Sequence, residues 1–105
     1  MDLNVSIRMA VDTGKIILGS DRAKKYALLG EAKVIIVSRN CPASVKQDIT
    51  HYASMSGVPV IEFAGSNMEL GVVCGKPFSV SALSVIEAGN SDILKVVESK
   101  KVESG

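Results

Sequence analysis

The sequence is poor in the residues that usually announce a catalyst. It has one histidine, His51, and two cysteines, Cys41 and Cys74. The cysteines form no Cys-x-x-Cys pair and have no histidine at metal-ligand spacing, which argues against a zinc site. In a reducing compartment both thiols are expected to stay free and to serve in packing or capping. Cys41 precedes Pro42 at an expected helix start, a position where a thiol pKa can fall. No Gly-x-Ser-x-Gly elbow is present. Gly71-Val72-Val73-Cys74-Gly75-Lys76-Pro77 resembles the end of a phosphate loop, but its glycines stand four apart instead of five, and Pro77 replaces the Ser or Thr that would hold magnesium. His51 falls within a helical stretch and has no evident catalytic partner. An enzyme, a metal site and a bound cofactor are therefore not expected.

Other absences narrow the class further. No apolar run approaches the ~20 residues of a membrane span, so no membrane partner is expected. The opening Met1-Asp2-Leu3-Asn4 lacks the basic and apolar regions of a secretion signal, and the expectation is a cytosolic protein. Internal repeats and low-complexity tracts are missing. The 105 residues read as one domain over 1–98, with a polar tail over 99–105. A strongly basic balance, the direct signal of nucleic-acid binding, is missing too: the net charge is +1. That total hides an asymmetry, because residues 1–50 carry +3 and residues 51–105 carry −2. Arg22, Lys24, Lys25, Lys33 and Arg39 lie in the basic half. They suit either an RNA contact or a plain solvated surface.

What is present is alternation. Leu3, Ile7, Ala10 and Val11 recur at helical spacing, and Thr13-Gly14 ends that helix. Ile16-Ile17-Leu18 reads as a short strand ending at Gly19. Ser20 or Asp21 can cap a helix running to Leu29, closed by Gly30. Val34-Ile35-Ile36-Val37 is a continuous apolar run, the pattern of a strand covered on both faces. Pro42 suits the first turn of a helix striped by Val45, Ile49, Tyr52 and Ala53 and ended by Gly57. A strand over 58–63 follows, then a short helix capped by Ser66 or Asn67. A turn at Gly75-Lys76-Pro77-Phe78, a strand over 80–86 and a helix over 92–97 complete the order. Such alternation predicts an α/β fold, a three-layer α/β/α sandwich on four strands.

Sites in such sandwiches gather where strand–helix loops meet at one end of the sheet. Three junctions stand out: Gly19-Ser20-Asp21-Arg22, Ser38-Arg39-Asn40 and Gly75-Lys76-Pro77-Phe78-Ser79-Val80. The first sets a glycine before a helix N-terminus, whose free N–H groups favour a phosphate, with Arg22 and Lys25 one turn apart beside it. Asn40 offers both donors and acceptors to a base edge. Phe78, one of only two phenylalanines, sits in a turn. There it serves either as local packing or as a platform for an unstacked base.

Several stretches are more specific. Residues 12–19 (Asp12-Thr13-Gly14-Lys15-Ile16-Ile17-Leu18-Gly19) and residues 32–40 (Ala32-Lys33-Val34-Ile35-Ile36-Val37-Ser38-Arg39-Asn40) resemble one archaeal and eukaryotic family, the large-subunit ribosomal protein "L thirty e". Residues 52–60, 67–71 and 75–80 continue that resemblance in the family's order, over roughly residues 3–97. The family lies in the "L seven Ae" superfamily of kink-turn RNA binders. The resemblance implies a four-stranded mixed sheet and a non-catalytic monomer in the cytoplasmic ribosome. It implies contact with other large-subunit components and with ribosomal RNA at an internal loop flanked by sheared G·A pairs. By motif, the implied RNA contacts fall on Gly19, Ser20, Asp21, Arg22, Lys25, Asn40, Phe78 and Val80, with Phe78 stacking on a base and Val80 adding apolar contact. Asp21 departs from the family, whose members often carry Lys, Arg or Asn there. It is expected to turn back as a cap or to meet a base amino group. Two alternatives stay open: a kink-turn subunit of another small ribonucleoprotein, and a protein-interaction module on the same fold.

Overall fold

A computed structural model describes residues 3–95. Four helices and four strands alternate: α1 (Leu3–Thr13), β1 (Lys15–Leu18), α2 (Ser20–Leu29), β2 (Val34–Val37), α3 (Ala43–Ser56), β3 (Val60–Glu62), α4 (Asn67–Val73) and β4 (Ala82–Glu87). The sheet order is β1-β4-β2-β3. β2 and β3 run parallel, and β4 runs antiparallel to both its neighbours, so the sheet is mixed. Of the final helix expected over 92–97, residues 93–95 are helical and Asp92 is not, and residues 96–97, like the polar tail, lie outside the described residues.

The two middle strands explain the three layers. On β2, Val34 and Ile36 face one way and Ile35 and Val37 the other, as the period-two pleat requires. All four side chains are buried. Val34 and Ile36 pack with Leu83 and Val85 of β4 against Ile7 and Ala10 of α1 and Leu70 of α4. Ile35 and Val37 pack with Ala82 against Ala23 and Ala27 of α2 and Ile49 and Ala53 of α3. The chain is thus an α/β/α sandwich, with α1 and α4 on one face and α2 and α3 on the other. The small alanines let α2 and α3 approach the sheet closely. No described helix is long and apolar enough to cross a membrane.

Ser84 is the polar exception in this core. It is fully buried on β4, and its hydroxyl has no hydrogen-bond partner among the described residues. A buried hydroxyl that loses water and gains nothing costs free energy. Ser84→Ala should therefore raise stability by about 1 kcal/mol. The check is a higher denaturant midpoint at an unchanged m-value.

Two expected helix starts are corrected. Ser20 and Asp21 do not cap α2. The N-cap position belongs to Gly19, and no side-chain cap hydrogen bond is made. The reason is that β1 runs directly into α2 with one residue between them. Gly19 donates its N–H to the Ala82 carbonyl at 2.9 Å, as part of the sheet, and its own carbonyl accepts from the Ala23 N–H at 3.0 Å, as part of the helix. A φ of 118° makes that double duty possible and is open to glycine alone at little cost. Asp21 is instead an exposed residue of the first turn, where its charge complements the helix dipole. Similarly, Pro42 is the N-cap of α3 and not its first helical residue, and its carbonyl accepts from Lys46 N–H.

Candidate nucleic-acid interface

The strand directions bring four junctions to one end of the sheet. β1, β2 and β3 end there, and β4 begins there: Leu18 pairs with Leu83, Val37 with Ala82, and Val37 with Glu62. The β1–α2, β2–α3 and α4–β4 junctions expected from the sequence are joined by a fourth, β3–α4.

Hydrogen bonds tie these loops into a rim. Ser38 N–H donates to the Ser81 carbonyl at 2.8 Å, and Arg39 N–H to the Gly65 carbonyl at 2.9 Å. The Asn40 carboxamide oxygen accepts from the Ser38 hydroxyl at 3.1 Å and from the Asn67 N–H at 2.8 Å. Its nitrogen donates to the Asn67 side-chain oxygen at 3.3 Å. Asn67 in turn donates from its side chain to the Ser81 hydroxyl at 3.2 Å, and its carbonyl accepts from the Val80 N–H at 2.9 Å. Asn40 itself is exposed.

Asn67 was not among the residues the sequence marked as a site. The available signal was the pair Ser66-Asn67 at one helix start. Only one residue can be the N-cap, and Ser66 is: its hydroxyl accepts from Glu69 N–H at 3.2 Å. The second polar side chain is thereby left for another partner.

Four exposed cations on α2 and the loops have no ion-pair partner among the described residues. Arg22 and Lys25 are exposed on α2, opposite buried Ala23 and Ala27, and Arg39 and Lys76 are exposed on two of the loops. Among the described residues none of these four has an ion-pair partner, whereas Lys24 reaches Asp48 at 3.5 Å and Lys46 reaches Glu62 at 2.6 Å. Lys33 lies at the other end, where its N–H bonds the Val85 carbonyl as β2 begins. The basic half of the sequence is therefore divided by the fold: part of it faces the loop end, and part is tied to acidic neighbours on α3 and β3.

Phe78 is 53 % exposed. With Met68, Val72, Lys76, Pro77 and Ser79 it lines a groove of about 320 Å³. Val80, two residues on, behaves differently. It is 2 % exposed and packs in the core with Phe63, Leu70 and Leu83. It anchors the turn from below and offers no surface on this rim, contrary to the apolar contact expected of it. The chain bends inward between the two residues because the Val80 N–H is drawn to Asn67.

Both cysteines are buried free thiols. Burial raises the Cys41 pKa, and Lys46 and Lys24 pull it down by less, so the expectation of a lowered value at the helix start is corrected. Burial likewise pushes Cys74 up to about 11, against the opposing charges of Lys76 and Arg8. The unfolded chain releases this proton nearer 9.0, so across that window it binds fewer protons than the folded chain. The stability contribution is fully present below the lower value and is lost as pH rises toward about 11. Cys74→Ala should flatten this alkaline loss, as followed by denaturant titrations at several pH values. No cluster of His, Cys, Asp or Glu able to hold a metal occurs among the described residues.

Comparisons with known proteins agree with this architecture. The family model described as "Ribosomal protein L7Ae/L30e/S12e/Gadd45 family" matches residues 1–95. The chain is 46 % identical over 101 residues to the large ribosomal subunit protein eL30 of Methanocaldococcus jannaschii, covering 96 % of this chain and 92 % of that protein. It is 49 % identical over 98 residues to the same-named protein of Methanosphaera stadtmanae, covering 93 % and 100 % of the two chains. The counterpart from Methanopyrus kandleri is 42 % identical over 104 residues, covering 99 % and 94 %. A solved structure of a Bacillus halodurans protein of unknown function has the same fold, with a TM-score of 0.77 at 20 % identity and coverage of 91 % and 95 %.

Proposed function

The chain belongs to the ribosomal protein L7Ae/L30e/S12e/Gadd45 family, and on that footing we propose that its loop end grips a kink-turn in ribosomal RNA. It is a non-enzymatic structural constituent of the large ribosomal subunit in the cytoplasm, like the eL30 relatives it resembles over most of its length. The observation that carries the RNA reading is the convergence of four junctions at one end of the sheet. There a helix N-terminus, an exposed carboxamide and an exposed phenyl ring meet, with the exposed Arg22, Arg39 and Lys76 at these junctions and Lys25 further along α2.

Each part has a physical role. The first N–H groups of α2, facing out after Gly19, suit a phosphate oxygen. Arg22 and Lys25 add charge beside them, and Asp21 among them penalises a phosphate placed too close to its carboxylate. Phe78 supplies a stacking face, and RNA with unstacked bases is what such a face selects. Every part of this rim comes from one copy, which supports binding by a single chain.

The direct test is titration with a kink-turn RNA, and with a duplex of equal length and charge, at near-physiological salt. Submicromolar binding that is lost in the duplex supports the proposal. Equal binding to both refutes it and favours a generic electrostatic surface. Lys25→Ala is expected to weaken binding to both RNAs alike and to lower the slope of log affinity against log salt by about 1, as loss of one phosphate contact does.

A further inference from the structure

We propose that Asn67 is a positioning residue that turns the Asn40 carboxamide into a single hydrogen-bond donor aimed out of the rim, so that the RNA group Asn40 meets is an acceptor. The inference rests on the RNA-binding reading and sharpens it.

A carboxamide carries two acceptor lone pairs on oxygen and two donor hydrogens on nitrogen. In isolation Asn40 could read an acceptor or a donor equally well. Here its valences are filled one by one. The Asn67 main-chain N–H can only donate, so the group facing it at 2.8 Å must be the Asn40 oxygen. That bond fixes which end of the amide is oxygen and which is nitrogen. The Ser38 hydroxyl, on a residue that is 0 % exposed, takes the second lone pair. The Asn67 side-chain oxygen then takes one of the two N–H hydrogens. One N–H remains, on an exposed side chain.

Asn67 is itself immobilised. It begins α4, its side chain is held by the Ser81 hydroxyl, and its carbonyl holds the Val80 N–H. The residue therefore reaches the β2–α3 loop from one side and the α4–β4 loop from the other. A guanine O6 or N7, or a phosphate oxygen, satisfies the remaining N–H. A base amino group does not, since two donors would face each other with both lone pairs already used.

The test is a functional-group scan of a kink-turn RNA against the full chain. Single guanines are replaced by 2-aminopurine, which lacks O6, by 7-deazaguanine, which lacks N7, or by inosine, which lacks the amino group. Single phosphates are replaced by methylphosphonate. In the wild type one acceptor deletion should lower affinity roughly three- to tenfold, the value of one hydrogen bond. The same deletion should have no effect in Asn40→Ala. A guanine analogue giving this result identifies a base edge, and a methylphosphonate identifies the backbone. Asn67→Ala should shrink the coupling between Asn40 and that acceptor, because the nitrogen loses its tether. Asn67→Ser, which keeps a polar start for α4, should do the same if the alanine variant folds poorly. Coupling of Asn40 to the guanine amino group that inosine lacks overturns the inference, as does coupling to no group. Full coupling retained in a folded Asn67 variant overturns the positioning role. Failure of the wild type to prefer the kink-turn over a duplex falls on the functional proposal instead.

Discussion

Phe78→Ala is expected to weaken kink-turn binding by about 1–3 kcal/mol, the measured range for one stacked base. The thermal midpoint should move little, because the ring is 53 % exposed and its removal opens no buried cavity. Parallel isothermal titration and thermal melts separate the two effects. A large drop in melting temperature with unchanged affinity of the folded fraction would show that Phe78 is a packing residue of the groove it shares with Met68 and Val72, and the stacking role would be lost. Phe78→Tyr keeps a face of the same kind and should retain most of the affinity.

Gly71→Ala should damage stability and binding together. A Cβ at Gly71 would collide with the carbonyl of Phe78 and crowd Ser79. Both sides of that contact are backbone, so no rotamer change relieves it. Either α4 or the turn must move. Overpacking of this kind costs about 1–3 kcal/mol of stability. The turn is the looser partner, held by the Val80 N–H and exposed from Gly75 to Ser79, so displacement falls chiefly on Phe78. The RNA-affinity losses of Gly71→Ala and Phe78→Ala should therefore be strongly sub-additive in a double-mutant cycle. Additive losses would mean that Gly71 does not seat the ring. The same close approach disposes of the phosphate-loop likeness around Gly71 to Pro77, since this glycine is spent on packing a helix against a turn.

The helices and strands were legible wherever burial and periodicity agree. Val34 to Val37 was recognisable as a two-sided strand because four consecutive apolar residues fit nothing else of that length. The β1–α2 boundary was less legible. Capping preferences favour Ser and Asp over glycine, and those preferences assume a loop before the helix. Gly19 removes the loop altogether. β3 was read too wide at both ends and β4 was started two residues early, because Val58, Phe63 and Val80 are apolar for reasons of core packing outside the ladder. At the site, local chemistry pointed to Gly19, Asn40 and Phe78. It did not separate Phe78 from Val80, since inward and outward turn residues differ only through the bond from Val80 to Asn67. Asn67 stayed hidden for the same cause: its role lies 27 and 14 residues away, at Asn40 and Ser81.

The sheet order has a consequence for how the protein comes into being. Among the described residues β1 pairs with no strand except β4, and β4 is the last strand in chain order. During synthesis β1 must wait, unpaired, for about sixty residues to emerge before its partner can slot in beside it. Gly19 and Ser38 donate their N–H groups to the carbonyls of Ala82 and Ser81, and Asn67 donates to the Ser81 hydroxyl and accepts from the Val80 N–H, so all three depend on the leading end of that same late segment. A chain that stops short of β4 lacks the groups that tie this rim together. If the loop end binds RNA as proposed, a chain that stops before β4 lacks the rim that would bind it.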